Sequence, residues 1–313
     1  MAGEFNNAAA AAGRSLGAAL TERRPLLLDG ATGTELERRG VRSDLPLWSS
    51  WALLEAPDTL RAIHADYLRA GADALTAATF RTHARSLAAA GLESRAAALT
   101  ALAVRLAREA AAPAQRPAFV LGSAAPLEDC YHPERVPDDA ALAREHAAHA
   151  RHLVAAGVDA ILAETMNTLR EAVAAARAAR EAGADALVSF VCGADARLLS
   201  GEPLAEALDA VASLGPLALG VNCLPPQAVA PCLEPLRRSG APFLVYANLD
   251  APGAPLRAAP EDASPEAYAA YALGWVRAGA ACVGGCCGTT PAHVARVQRR
   301  LREAGAPAPG VAG

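Results

Sequence analysis

The chain has 313 residues, of which 53% are hydrophobic and 20% are charged, and its net charge is −4. This balance excludes an intrinsically disordered chain, and the negative net charge argues against a general nucleic-acid binder. All 29 basic residues are arginine, which excludes Schiff-base chemistry on a lysine and a P-loop lysine.

The two ends of the chain are unlike its middle. The first 20 residues lack the basic segment followed by an apolar segment that is typical of a secretion signal. We predict a disordered leader over residues 1–20, one folded domain over residues 21–305 and a flexible tail over residues 306–313. No apolar run reaches the roughly 18 residues that a membrane span needs, so we expect no membrane association.

The seven cysteines are too few for a disulfide scaffold, and their number is odd. This usage favours a reducing cytoplasm, where grouped cysteines bind metal or take part in chemistry.

One pattern recurs along the chain: an amphipathic helical segment, then a glycine, then a short apolar run. Gly71, Gly157, Gly183 and Gly279 stand at the junctions, and glycine suits the left-handed position that ends a helix. The apolar runs have the length of buried strands. They predict eight strands, at residues 26–30, 74–79, 119–124, 160–165, 187–192, 217–223, 243–249 and 282–287.

Alternating helices and strands indicate a parallel sheet, and eight repeats predict a single (β/α)8 TIM barrel. A doubly wound open sheet is the alternative. It needs a glycine-rich phosphate loop after the first strand, and residues 30–35 lack that spacing. The proline-rich segments at residues 225–226 and 251–260 follow the sixth and seventh strands, where barrel loops are expected.

Polar groups and thiols stand where the apolar strands end. In a TIM barrel the active site lies at the C-terminal ends of the strands, so these residues are candidates for one site. They are Asp29, Gly30, Thr79, Ser123, Glu164, Cys192, Asn222, Cys223, Tyr246, Asn248, Cys286 and Cys287.

Three of these cysteines form the strongest metal-site candidate. Cys223 ends strand six and the pair Cys286–Cys287 ends strand eight, so their thiols can converge. The glycines around the pair permit the irregular backbone that would aim both thiols at one point. Three thiolates suit Zn²⁺ with a fourth position left open for a ligand. The alternatives are buried apolar cysteines and a strained disulfide between Cys286 and Cys287.

Asp29 and Glu164 end strands one and four, where a carboxylate is costly to bury without a partner. Together they could hold an ammonium group, or serve as acid and base in a glycosidase. Alternatively, each caps the loop that follows it.

The histidines are weaker candidates. His146, His149 and His152 share one face of a helix in the outer layer, where a solvated or packing role is expected. His83 and Arg81 follow strand two, and His132 follows strand three. Any of these three could reach the site, and Arg81 could meet a carboxylate.

The segments LLLDGATGTELERRG, AETMNT, GVNC and GGCCG together resemble the homocysteine S-methyltransferase family, over roughly residues 26–302. The resemblance implies a zinc ion bound by Cys223, Cys286 and Cys287. It also implies that Asp29 and Glu164 hold the amino group of homocysteine.

Further roles follow from the same resemblance. The backbone near Gly30 and Thr79 would receive the substrate carboxylate, and Asn222 would lie beside the zinc. The loops after strands two and three, FRTHARSL and APLEDCYHPERVP, depart from the family pattern. Strand seven also departs from it, because Tyr246 is followed by Ala-Asn-Leu-Asp.

The resemblance implies zinc-dependent methyl transfer from a small onium donor to homocysteine, giving methionine. S-methylmethionine and S-adenosylmethionine are the favoured donors, and Trp48, Trp51 and Tyr246 are candidates to contact the donor's positive charge. A betaine- or corrinoid-dependent thiol methyltransferase is the alternative within the family. Outside it stand a non-enzymatic redox or binding barrel using Cys286 and Cys287, and a zinc hydrolase. The hydrolase would need a His-x-His at the end of strand one, which is absent.

Overall fold

A computed structural model of the chain describes residues 14–114, 116–249 and 264–305. Eight parallel strands form one sheet in the order β1-β8-β7-β6-β5-β4-β3-β2. The strands are β1 (Leu26–Leu27), β2 (Ala74–Ala77), β3 (Phe119–Ala124), β4 (Ala160–Met166), β5 (Ala186–Phe190), β6 (Ala218–Asn222), β7 (Phe243–Tyr246) and β8 (Cys282–Val283).

The two ends of the sheet meet, which makes it a barrel. Leu28 and Ala74 form a parallel bridge between β1 and β2, and the Asp29 N–H donates to the Ala74 carbonyl at 3.0 Å. The predicted (β/α)8 barrel is therefore confirmed, and the alternative of an open sheet is wrong.

Helices fill the segments between the strands and cover the outside of the barrel. Within the described ranges they are α1 (Leu16–Leu20), α2 (Gly33–Arg38), α3 (Ala52–Glu55), α4 (Pro57–Ala70), α5 (Ala84–Ala88), α6 (Ala96–Ala111), α7 (Asp139–Ala156), α8 (Leu169–Glu181), α9 (Leu204–Ala212), α10 (Ala230–Arg238), α11 (Pro265–Arg277) and α12 (Pro291–Glu303). Gly71 and Gly157 adopt positive φ at the ends of α4 and α7, as the repeat predicts.

Several strands end earlier than the sequence predicts. The regular part of β8 is Cys282–Val283, although residues 282–287 are predicted, and β7 stops at Tyr246 rather than at residue 249. Beyond these points the backbone turns toward the cavity at the top of the barrel, and regular pairing gives way to single hydrogen bonds. The Cys286 N–H, for example, donates to the Ala247 carbonyl at 2.9 Å.

The helix α1 closes the floor of the barrel. Leu16, Ala19 and Leu20 are buried and pack in one cluster with Leu26 and Phe119, which lie where β1 and β3 begin. These residues fall within the stretch predicted to be a disordered leader, so the structure differs from that prediction over α1. The reason is that an apolar helical face covers the exposed strand beginnings.

Three segments with sequence-based predictions lie outside the described residues: 1–13 of the leader, 251–260 after β7 and 306–313 at the tail. Of the helices in the described ranges, none has the length and apolar character needed to cross a bilayer.

Candidate active site

A cavity of about 610 Å³ opens at the C-terminal ends of the strands. Nine of the twelve strand-end candidates line it: Asp29, Gly30, Ser123, Glu164, Cys223, Tyr246, Asn248, Cys286 and Cys287. Its outer wall comes from loops and includes Trp48, Phe80, Arg81, Asp129 and Tyr131. The site therefore lies where the barrel fold predicts it.

The three cysteines at the strand ends converge. The Sγ atoms of Cys223, Cys286 and Cys287 all lie within 4.8 Å of one another. The sulfurs of Cys223 and Cys286 are in disulfide contact, with Cα atoms 5.7 Å apart. The pairing therefore joins strands six and eight rather than the adjacent cysteines that the sequence offered as an alternative. In reduced form, three thiols at this spacing are a donor set that fits a thiophilic metal ion.

Glycine makes the approach of Cys286 possible. The Gly284 N–H donates to the Val245 carbonyl, and the Gly285 N–H donates to the Asp29 carbonyl. A Cβ on Gly284 would lie 2.6 Å from the Leu28 Cβ, so no larger residue fits between β1 and β7 there. The glycines hold the chain between its neighbours while it leaves regular strand geometry.

Asp29 is held by the neighbouring strand β2. Its Oδ2 accepts a hydrogen bond from the Thr76 N–H at 2.8 Å, and its Oδ1 accepts one from the Thr76 hydroxyl at 3.1 Å. Burial raises the pKa of Asp29 to about 8, although the two bonds from Thr76 oppose that shift. Such a carboxylate ionises readily once a cation is placed beside it.

Glu164 occupies the end of β4 and faces the same cavity. The Ser123 hydroxyl donates to its Oε1, and the Tyr246 hydroxyl donates to its Oε2 at 3.2 Å. Burial raises the pKa of Glu164 to about 7, while both hydrogen bonds favour the charged form. Among the described residues, no arginine or histidine lies within ion-pair distance of Asp29 or Glu164, so both carboxylates are available to a cationic ligand.

The other three residues predicted to contact the substrate differ in whether they reach the cavity. Gly30 lines the cavity, and a Cβ there would lie 2.8 Å from the Thr289 Oγ1. Thr79 is fully buried behind the wall and donates its hydroxyl to the Ser123 carbonyl at 2.8 Å. Asn222 is also fully buried, and its amide bonds to Thr165. Thr79 and Asn222 thus support residues that face the cavity.

The histidines lie away from the cavity. His83 begins α5, where its ring accepts from the Ser86 N–H and contacts the Ser86 hydroxyl. His146 and His149 are buried rather than solvated, and the His146 Nε2 lies 3.1 Å from the Glu171 Oε1. His132 is exposed beside Glu134.

The aromatic candidates separate into two groups. Trp48 and Tyr246 line the cavity, and the Trp48 ring packs edge-on against Phe80 at 5.4 Å between centroids. Trp51 does not line the cavity; its ring instead contacts the Arg42 guanidinium, whose Cζ lies 3.6 Å from the ring centroid.

The sequence did not identify Thr76, Phe80, Asp129 or Tyr131 as site residues. Thr76 offers the clearest signal that was missed, because it is a polar residue within an otherwise apolar strand. Its side chain turns to Asp29 on the neighbouring strand.

Fold and cavity together define a (β/α)8-barrel enzyme with thiols and carboxylates at one mouth. The chain belongs to the homocysteine S-methyltransferase family, whose sequence model matches residues 26–301. It is 34% identical over 295 residues to the homocysteine S-methyltransferase of Escherichia coli K12, covering 88% of this chain and 94% of that one. It is 31% identical over 294 residues to the homocysteine S-methyltransferase YbgG of Bacillus subtilis, covering 87% and 93%.

Solved structures agree with this assignment. The metallated form of the homocysteine methyltransferase MmuM from Escherichia coli superposes with a TM-score of 0.77 at 32% identity, covering 90% of this chain and 98% of that one. Its oxidized form gives a TM-score of 0.78 at 31% identity, covering 90% and 97%. The chain is thus a methyltransferase, and the hydrolase and the non-enzymatic redox barrel are set aside.

Proposed function

We propose that this protein transfers a methyl group from a small onium donor to the thiol of homocysteine, giving methionine, with Zn²⁺ held by Cys223, Cys286 and Cys287. The observation that carries the proposal is the convergence of three thiols within 4.8 Å in the same cavity as Asp29 and Glu164. A reducing cytoplasm would keep the three thiols available to the metal.

The Asp29 and Glu164 carboxylates bind the ammonium group of the acceptor, homocysteine. Asp29 and Glu164 come from β1 and β4 and face one cavity, and each is held by donors from its neighbours. A cation between them favours their ionised forms, so binding lowers both raised pKa values toward the ordinary range. The acceptor carboxylate is assigned to the backbone near Gly30, which lines the same cavity.

The acceptor must react as a thiolate, because a free thiol with a pKa near 8.5 is mostly protonated at neutral pH. Zn²⁺ at the three cysteines would supply this activation by favouring deprotonation of a thiol bound beside it. The protein's own residues orient the two substrates so that the sulfur faces the methyl carbon. A new S–CH₃ bond forms, the donor's C–S⁺ bond breaks, and its electron pair remains on the leaving sulfur.

The outer wall of the cavity suits a positively charged donor. Trp48, Phe80 and Tyr131 offer aromatic faces, and Asp129 offers a carboxylate. S-methylmethionine and S-adenosylmethionine are small onium donors of this kind, and we favour them over betaine and over a methyl group carried by a corrinoid protein.

The direct test is methionine formation from homocysteine by the zinc-loaded protein. Each of four donors is supplied in turn: S-methylmethionine, S-adenosylmethionine, betaine and methylcobalamin. We expect turnover with a sulfonium donor and loss of turnover after the metal is removed. Full activity in metal-free protein contradicts the zinc proposal, and turnover with betaine or methylcobalamin alone contradicts the proposed donor. Selenocysteine is a useful second acceptor, since a selenocysteine Se-methyltransferase of Brassica oleracea is 29% identical to this chain.

A further inference from the structure

Arg81 is a buried cation without a carboxylate partner among the described residues. It follows β2, is 7% exposed and lines the cavity. Its Nη1 donates to the Glu128 carbonyl at 3.0 Å. Its Nε is buried and makes no hydrogen bond within the described part of the chain.

The contrast with Arg24 shows how unusual this is. Arg24 and Arg81 are the buried arginines of the described residues. Arg24 donates to both carboxylate oxygens of Asp73, at 3.0 and 2.8 Å. Within the described residues, the guanidinium of Arg81 donates only to a backbone carbonyl, although a guanidinium carries a permanent positive charge.

A buried charge without a partner opposes folding, because it loses water and gains little in return. A guanidinium presents a planar fork of N–H donors that matches a carboxylate. Arg81 also lies near the Phe80 ring, with 5.3 Å from its Cζ to the ring centroid, which holds the fork in place. Arg81 lines the cavity with a guanidinium that is paired to no carboxylate of the described residues, and this charge is therefore matched to an anionic ligand.

The same wall carries the opposite charge. Asp129 follows the residue whose carbonyl Arg81 binds, and it lines the same cavity. The Asp129 Oδ1 accepts from the Tyr131 N–H at 2.9 Å, and no ion pair joins Asp129 to Arg81 in the described structure. One positive and one negative side chain thus line the same cavity wall with no ion pair between them, as the recognition of a zwitterion requires.

We propose that Arg81 binds the carboxylate of the methyl donor, so that the donor is a zwitterionic onium compound rather than a simple cation. This inference rests on the proposed function. The acceptor's ammonium already has Asp29 and Glu164 at the strand ends. Arg81 and Asp129 are a separate, unpaired cation and anion on the loops after β2 and β3. Arg81 therefore selects donors by their carboxylate, a group that takes no part in the methyl transfer.

The test compares two sulfonium probes, S-methylmethionine and its methyl ester, in which a neutral ester replaces the carboxylate. Binding of each probe to the zinc-loaded protein is measured by calorimetry, for the wild type and for Arg81→Met. We expect the Kd of S-methylmethionine to rise about 10- to 100-fold in the variant, which is the range for hydrogen bonds to charged groups. The methyl ester binds both proteins equally.

Arg81→Lys keeps the charge but loses the fork, so its Kd for S-methylmethionine falls between those of the wild type and Arg81→Met. The matched control is Arg105→Met, because Arg105 is half exposed on α6 beside Glu109, and its donor affinity stays at the wild-type value. The Tm of Arg81→Met equals or exceeds that of the wild type, since an unpaired buried charge is removed.

Unchanged binding of S-methylmethionine to Arg81→Met overturns the inference, and so does absence of binding to the wild type. Loss of homocysteine binding, with donor binding intact, assigns Arg81 to the acceptor and also overturns it. Because calorimetry needs no turnover, these outcomes are separate from a failure of the proposed function, which shows as absent methionine formation with every donor.

Discussion

The side-chain amide of Asn222 makes two hydrogen bonds to Thr165. Its Oδ1 accepts from the Thr165 N–H at 2.9 Å, and its Nδ2 donates to the Thr165 Oγ1 at 2.8 Å. Thr165 follows Glu164 and has a φ of 59°, while Cys223 follows Asn222 and has a φ of 54°. One amide thus joins two strained turns, the first next to the Glu164 carboxylate and the second at Cys223, one of the three converging thiols.

Asn222→Ala should therefore affect both halves of the site. The substitution leaves the buried Thr165 N–H without a partner, and we expect it to lower the free energy of unfolding by about 2–3 kcal/mol. We also expect weaker binding of both homocysteine and zinc, because both turns relax. Urea unfolding and metal titration provide the measurements. A loss of stability with unaltered zinc affinity would show that the amide serves the fold alone.

Cys286→Ser should remove zinc and activity together while the barrel stays folded, because it deletes one of the three proposed ligands at the rim of the barrel. The metal content of the purified protein and its circular dichroism spectrum test this. Cys192→Ala is the control, since Cys192 is buried in the core cluster away from the three thiols and should retain full metal. Activity that survives in Cys286→Ser without zinc contradicts the proposed chemistry.

Glu164→Gln should weaken homocysteine binding by roughly 10- to 100-fold, because an ionic contact with the ammonium becomes a neutral one. Zinc should remain bound, since Glu164 is not among the three converging residues. Calorimetry with homocysteine and metal analysis on the same sample separate the two effects. An unchanged homocysteine affinity removes Glu164 from the substrate site.

The affinity for homocysteine should rise with pH between about 6 and 8. Burial raises the pKa of Glu164 to about 7 and that of Asp29 to about 8, and only the ionised carboxylates attract the ammonium. In the ligand-free protein the sign for stability is the opposite. The folded state holds these protons while an unfolded carboxyl with a pKa near 4 has lost them, so the free energy of unfolding falls as pH rises from about 4 to 8. Calorimetry and urea unfolding across this range test both signs, and a flat affinity profile contradicts the assignment.

Thr76→Val should raise the pKa of Asp29 further. The variant keeps the backbone N–H bond but removes the hydroxyl that favours the ionised carboxylate. We expect lower homocysteine affinity at neutral pH that recovers in more alkaline solution. The pH profile of binding, compared with that of the wild type, gives the shift. Equal loss at every pH would instead indicate a packing defect.

The barrel could be predicted from the sequence because its signal repeats. Each helix, glycine and apolar run gives the same local information, and the eight together leave a closed parallel sheet as the simplest arrangement. The cysteine cluster was predictable for a related reason, because strand ends in a barrel share one rim and Cys223, Cys286 and Cys287 all stand there.

The supporting contacts could not be predicted in this way. Thr76 and Ser123 reach carboxylates on neighbouring strands, and such pairs depend on register between strands rather than on any local pattern. Thr79 and Asn222 were predicted to face the cavity because they stand at strand ends, yet both are buried away from it. The direction of a side chain depends on the irregular backbone at the rim, where the two-residue alternation of a strand no longer holds.

The helix α1 at the base of the barrel has a kinetic consequence. Leu16 and Leu20 pack against the strand beginnings. Under the proposed function, both substrates would therefore enter, and both products leave, through the cavity at the C-terminal ends of the strands. A molecule bound at Asp29 and Glu164, at the strand ends, would lie deeper in the cavity than one bound at the loop residue Arg81. The molecule that binds second is therefore expected to leave first. Homocysteine should then load before the donor, and the spent donor should leave before newly made methionine.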